Sequence, residues 1–290
     1  MNSPFRMAAR QAGICALVLV LLDVPAVWAQ TSGVAAERAE YMAWLTTAAV
    51  SPLRAIAQQP IGSVVRLGPS NSDVPLAGVA EHRVRQQGGS VMLESDGGKR
   101  AMPRGLPIRV GAYTLSVGGA AGRAVLTVFG DHPSDKRPEY YELQPALVFV
   151  GALASPEQRG TVRVLGVDGT EVEAAEAGSV VVALGDERVR LRVLRMPTQG
   201  SEESELEIFF RDGTNGRGTY PAGRFVQLVP ESGNRYRLDF NRARNPFCAY
   251  SSAYPCPAPW RGNAFRSPVE AGERYEGVGT AGPEPPAGAR

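Results

Sequence analysis

Histidine and cysteine are scarce in this chain, and their scarcity excludes much ordinary enzyme chemistry. The 290 residues hold 2 histidines and 3 cysteines. A tetrahedral zinc site needs four Cys, His or carboxylate ligands, usually in close pairs. His82, His132, Cys248 and Cys256 offer no such spacing, so no metal is expected. A G-x-S-x-G elbow, a phosphate loop and a G-x-G-x-x-G run after a strand are also missing, so no cofactor is expected. His132 sits in "GDHPSDK", a polar turn, and reads as a solvated loop residue rather than the base of a triad. Strong charge of either sign is lacking too. A formal net charge of +2 leaves no electrostatic footprint for nucleic acid or an anionic lipid surface.

Glycine and proline, in contrast, are plentiful, at 33 and 23 residues, which favours short strands joined by tight turns over long helices. The length allows two subdomains with a sizeable core. The first 29 residues read as a cleavable export signal. Arg6 and Arg10 precede an apolar run from Ala12 to Leu22, Asp23 and Pro25 close it, and Val27 and Ala29 place small residues at −3 and −1. That run is too short to cross a bilayer, and no later stretch is long enough. The expected protein is therefore periplasmic or secreted, with no membrane span after cleavage. In that oxidising setting Cys248 and Cys256 are expected to form a disulfide, with free thiols as the alternative.

Patterning predicts a mainly β protein. Residues 30–60 carry the one good helical period, through Tyr41, Trp44, Leu45, Ala48 and Leu53, with Pro52 ending it or starting a second turn. Residues 61–131 then read as a β-sandwich, from "SVVRLG" and "SVMLE" to "LPIRVG", "YTLSV" and "AVLTVFG". Residues 132–276 read as a second antiparallel β domain after a polar crossover, with Asp168-Gly169 at a hairpin tip. Residues 277–290 are Gly/Pro/Ala-rich and read as a disordered tail. Glu202, Glu203 and Glu205 form an acidic run that reads as a solvated hairpin tip.

Two resemblances follow from particular residues. Gly68, Asp73 and His82 stand where the forkhead-associated (FHA) pattern has its glycine, Asp and histidine, and residues 61–118 resemble that β-sandwich. Where that family's phosphothreonine-binding arginine and serine would stand, this chain has Pro69, Ala80 and Glu81. Phosphopeptide binding is therefore not implied, and His82 reads as a turn residue. The second half is richer. "FFRDGTNGRGTYPAGRF", "LDFNRARNPFCAYSSAYPCPAPWRGNAF" and "VEAGERY" closely resemble the bacterial and archaeal domain-of-unknown-function family number 1684. That resemblance implies an architecture and a signature region, and no reaction.

Within the signature, Tyr220, Arg224, Asp239, Asn241 and Asn245 bring a guanidinium, a carboxylate and two amides together as a candidate ligand-binding set. Arg224 paired with Asp239 would equally make a buried network needing no ligand. The expected function is a non-catalytic exported module that binds a small polar ligand or an envelope partner. The alternatives are a hydrolase-like or transferase-like enzyme using this cluster with Cys248 or Asp239 as reactive group, and a structural envelope protein.

Overall fold

The computed structural model describes residues 24–276, apart from 121, 157, 199–202 and 259. The expected tail, 277–290, lies outside the described residues, as does nearly all of the expected signal segment. The chain is mainly β with one long N-terminal helix. Among the described residues no helix is long and apolar enough to cross a membrane.

Helix α1 spans Val24–Thr47. It stops short of the predicted end, because Ser51 caps a separate 3-10 turn at Pro52–Arg54 and Pro52 offers no N–H to continue the ladder. The chain is already extended at Ala55. Strands β1 (Ala55–Pro60), β2 (Val65–Gly68), β3 (Val74–Pro75), β4 (His82–Gln87), β5 (Ser90–Ser95), β6 (Gly98–Ala101), β7 (Ile108–Val110), β8 (Tyr113–Gly118) and β9 (Val125–Phe129) make two sheets. Their orders are β1-β9-β8-β7 and β3-β2-β4-β5-β6. Residues of both sheets, among them Leu67, Val84, Leu93, Leu115 and Val128, enclose one apolar core. Alternation places these side chains inward and their polar neighbours outward.

The second half runs through β10 (Glu139–Tyr140), β11 (Val148–Ala152), β12 (Thr161–Leu165), β13 (Glu171–Leu184), β14 (Glu187–Pro197), β15 (Ser204–Phe210), β16 (Arg224–Glu231), β17 (Arg235–Asp239) and β18 (Glu273–Arg274). Seven of them form one sheet, in the order β11-β17-β16-β15-β14-β13-β12. Ala154, just past β11, pairs with Ser179 of β13, so the sheet curls round on itself like a barrel. Gly178 permits that closure. It takes φ 140° beside a bulge in β13, and a Cβ there would stand 2.0 Å from the Ala154 carbonyl oxygen. The inner face holds Leu191, Val193, Ile208, Phe210, Leu228 and Phe240. The outer face carries a second apolar cluster with Leu194, Phe209, Phe225 and Trp260.

The loop following β17 glues these parts together. Tyr250 packs with Leu45 of α1 and Leu53, while Tyr254 packs with Ala55 and Phe129 of the first sandwich. Ser251 donates to the Ala55 carbonyl at 2.8 Å, and Gln58 of β1 donates to the Asp168 carbonyl at 3.1 Å.

Candidate functional site

The loop after β15, "RDGTNGRGTY", folds on its own side chains. Asp212 Oδ1 accepts from the Thr214 amide at 2.8 Å and from the Thr214 hydroxyl at 2.6 Å. Asn215 accepts from the Asp212 amide and donates to the Tyr220 carbonyl, each at 2.6 Å. Gly223, at φ 115°, then lets the chain pass the Phe210 carbonyl, which a Cβ would approach to 2.5 Å. These local bonds fix Asp212 beside the start of β16, where Arg224 emerges.

Arg224 is fully buried, and its partner is Asp212 rather than Asp239. Its Nη2 donates to Asp212 Oδ2 at 2.9 Å and to the Val269 carbonyl at 2.8 Å. Its Nη1 donates to the carbonyls of Ala271 and Glu273. Phe210 lies 5.3 Å below the guanidinium carbon. Only Nε lacks a partner. Arg224 is therefore a buried clamp that holds the "VEAGER" segment against the sheet, with no terminal nitrogen left over for a ligand.

Asp239 and Asn241 are likewise spent at home. Asp239 caps a 3-10 turn, accepting from the Asn241 amide at 3.0 Å and its side-chain Nδ2 at 2.9 Å. Its other oxygen accepts from Arg242 Nε at 3.1 Å. Asn241 closes a two-way bridge with Gln144, accepting from its amide at 2.7 Å and donating to its carbonyl at 3.0 Å. Asp239 ends β17 and Asn241 already sits in a turn, because the Asp239 carboxylate captures its amide. Asn245 donates its backbone N–H to Glu273 Oε2 at 2.7 Å and its Nδ2 to the Arg274 carbonyl at 3.1 Å, while its Oδ1 is buried without a partner. The five predicted residues thus do not converge on one pocket.

Tyr220 lies apart from them, with its hydroxyl 3.2 Å from Cys256 Sγ and its ring edge-on to Tyr275. The expected disulfide is corrected as well: Cys248 and Cys256 are free thiols. Burial pushes the Cys248 thiol up to about 12, with a further upward push from its contact with Cys256. A thiol so disposed stays protonated at neutral pH and is a poor nucleophile.

What the residue pattern did not reveal is a cavity of about 490 Å³ between α1 and the outer face of the sheet. Arg38, Tyr41 and Trp44 of α1 form its roof; Glu205, Gln227 and Arg244 form its floor. Tyr140, Asn241 and Arg242 stand at its side. The roof is tied down. Arg38 donates to the Tyr141 carbonyl at 3.1 Å and the Asn241 carbonyl at 3.0 Å, and Glu37 pairs with Arg242. Arg38 also lies over the Tyr140 ring at 4.4 Å, and its buried Nε is unpartnered.

Arg244 is the distinctive group. Its backbone is fixed by reciprocal bonds with Phe225, each 2.8 Å. Its guanidinium lies 5.3 Å over the Tyr41 ring and, among the described residues, makes no hydrogen bond or ion pair. Two buried carboxylates feel its charge. Glu207, 8% exposed, is pushed up to about 7 by burial, against the pull of Arg244. Glu273, fully buried, is also raised to about 7 by burial, although the Asn245 amide and the Tyr250 hydroxyl both donate to it. Glu205 keeps the solvent exposure predicted for the acidic run while also lining the cavity. Glu207 went unnoticed in the sequence. Its signal was a charged residue within "LEIFF" on the strand face that two places later buries Phe209.

Among the described residues no cluster of His, Cys, Asp and Glu could hold a metal ion. A search of curated proteins returns no match. A solved structure that the chain resembles is the solution NMR structure of an uncharacterized protein of Haloarcula marismortui. It is 27% identical, covers 49% of this chain and 78% of its own, and superposes with a TM-score of 0.41. Residues 136–274, which carry the Arg224 clamp, the Asn241 bridge and the floor of the cavity, match the model of the family described as Protein of unknown function (DUF1684).

Proposed function

We propose that the protein is an exported, non-catalytic binding module that holds a small organic anion in the cavity beneath α1. The observation that carries this reading is the Arg244 guanidinium, which lines the cavity and has no hydrogen-bonding partner among the described residues. A guanidinium offers five N–H donors in a planar fork that suits carboxylate and phosphate oxygens. The volume suits a small molecule, and Tyr41, Trp44 and Tyr140 supply apolar walls around a few polar groups. An enzyme using Cys248 or Asp239 draws less support, since the thiol is held protonated and both Asp239 oxygens accept hydrogen bonds.

Titration calorimetry with acetate, inorganic phosphate and 3-phenylpropionate, on the protein and on Arg244→Ala, tests the reading. At least one of these anions should bind the native protein and lose about tenfold or more in affinity with the variant. Binding that the variant leaves unchanged, or no binding of any of the three, would overturn it. Export is tested separately by the intact mass of protein recovered from cells, which should begin at Gln30.

A further inference from the structure

The seam where the second sheet curls round on itself opens a separate cavity of about 750 Å³. Its walls are the loop 155–160, the bulge of β13 between Glu176 and Gly178, one face of β14 and the turn at Arg261-Gly262. Each wall is held in place. Ala154 and Ser179 exchange two backbone bonds, at 2.9 and 3.0 Å, and the Gly160 carbonyl accepts from the Glu176 amide at 3.0 Å. The loop is thus pinned to β13 at both ends. Asn263 is fully buried, accepts from the Arg192 amide at 2.7 Å and donates to the Arg192 carbonyl at 2.9 Å. Those bonds hold Arg261 and Gly262 beside β14. Arg190 and Arg192 leave β14 on the same face, about 7 Å apart along the strand.

Four guanidinium-bearing residues therefore line one cavity: Arg159, Arg190, Arg192 and Arg261. Among the described residues Glu176 is the one carboxylate that lines it, and Arg192 already engages it, donating from Nε at 2.6 Å. Glu157, in the same loop, lies outside the described residues. Arg190 donates to the Ser179 hydroxyl at 3.0 Å. Arg159 and Arg261 are exposed and, among the described residues, make no hydrogen bond or ion pair. A chain whose net charge is only +2 thus gathers cations around one concave surface. Such a surface concentrates anions, because the fields of its charges add.

We infer that this cavity is a second binding site, for a small molecule carrying two or more phosphate or carboxylate groups, with Arg159 and Arg261 as its principal donors. It shares no lining residue with the cavity beneath α1 and does not depend on the reading of that cavity. A single carboxylate occupies one guanidinium fork, whereas a multivalent anion engages two walls at once. The volume lies within the range of small-molecule sites.

The test is calorimetry at low ionic strength on Arg244→Ala, which takes the cavity beneath α1 out of the measurement, with pyrophosphate and citrate compared against acetate. At least one of the two multivalent anions should bind about tenfold or more tighter than acetate. Pyrophosphate ahead of citrate assigns the site to phosphates, and the reverse order to carboxylates. Adding Arg159→Ala and Arg261→Ala should weaken the preferred anion about tenfold or more. The melting curve should stay where it was, since both side chains are exposed and hold no partner among the described residues. Phenylglyoxal modification followed by peptide mapping gives a readout that does not depend on these two substitutions. The bound anion should protect Arg159 and Arg261 while the exposed Arg235 stays reactive. Neither multivalent anion binding tighter than acetate, binding unmoved by the added substitutions, or no protection of Arg159 and Arg261 would overturn this site. Each of those results leaves the Arg244 reading untouched.

Discussion

Arg224 and Arg244 both belong to the signature half of the chain, yet the fold treats them oppositely. Arg224 is fully buried, and its two terminal nitrogens are saturated by one carboxylate and three carbonyls. Arg244 rests over a tyrosine ring at the floor of a cavity and, among the described residues, meets no acceptor. The first lies where the extended segment 269–273 brings its alternate carbonyls to the sheet, so its charge serves to fasten that segment. The second lies where α1 spans the outer face without filling it, so its donors remain available. An arginine in a signature motif is therefore not by itself a site; its unspent hydrogen bonds make it one.

The sharpest way to break this contrast is a pair of alanine substitutions followed by denaturant or thermal melting. Arg224→Ala strands the buried Asp212 carboxylate and three carbonyls and should cost about 3–5 kcal/mol, a fall of roughly 8–15 °C in Tm. Arg244→Ala should stay within about 1 kcal/mol of the native protein, since it removes only a partly exposed cation–π contact. Similar losses for the two would erase the distinction. Next in size, Asn241→Ala should cost about 1–3 kcal/mol by leaving the Gln144 amide and carbonyl unpaired. A neutral result there would show that the bridge is dispensable and would leave Asn241 free for a ligand.

Acidity offers a smaller and independent test. Glu207 and Glu273 are both raised by burial from 4.5 to about 7 in the folded protein. A carboxyl whose folded pKa lies above its unfolded one holds its proton longer in the native state. Stability should therefore be highest on the acid side, fall as pH rises from about 4.5 to about 7, and then level off. Urea titrations across that range should show the decline, and Glu207→Gln should flatten it. A stability that instead rises over this window would show that neither carboxyl is desolvated as described. Smallest of all, iodoacetamide labelling at pH 7 followed by peptide mapping should modify Cys256 before Cys248, because burial keeps the Cys248 thiol protonated. Faster labelling of Cys248 would revive the nucleophile.

Much of the architecture was legible in the residues. Strands announced themselves by alternation, as in "RVRLRVLRM" and "ELEIFF", because a half-buried strand must place apolar groups on one side. The curl of the second sheet was not legible. It depends on Ala154 reaching Ser179 and on a single glycine, Gly178, being open enough to admit the contact, and no periodicity encodes a pairing at that separation. The site was half legible. Arg224, Asp239 and Asn241 stood out by residue type, and all three have side-chain groups engaged by hydrogen bonds within the chain, Asn241 while also lining the cavity. Arg244, in "NRARNP", read only as a source of charge near Cys248, and Glu207 only as a strand residue.

By itself, then, the sequence determined a mainly β chain with an N-terminal helix, a family signature and a supply of guanidinium, carboxylate and amide groups near its end. Local preferences and side-chain alternation suffice for that, since they act over a few residues. Only the tertiary structure decided which of those groups are spent and which are left over. Arg224 finds carbonyls from 269–273 and Arg244 finds a cavity roofed by Arg38, Tyr41 and Trp44, from the other end of the chain. A hydrogen bond is made or missed within a few tenths of an ångström, and that precision exists only once distant segments have packed.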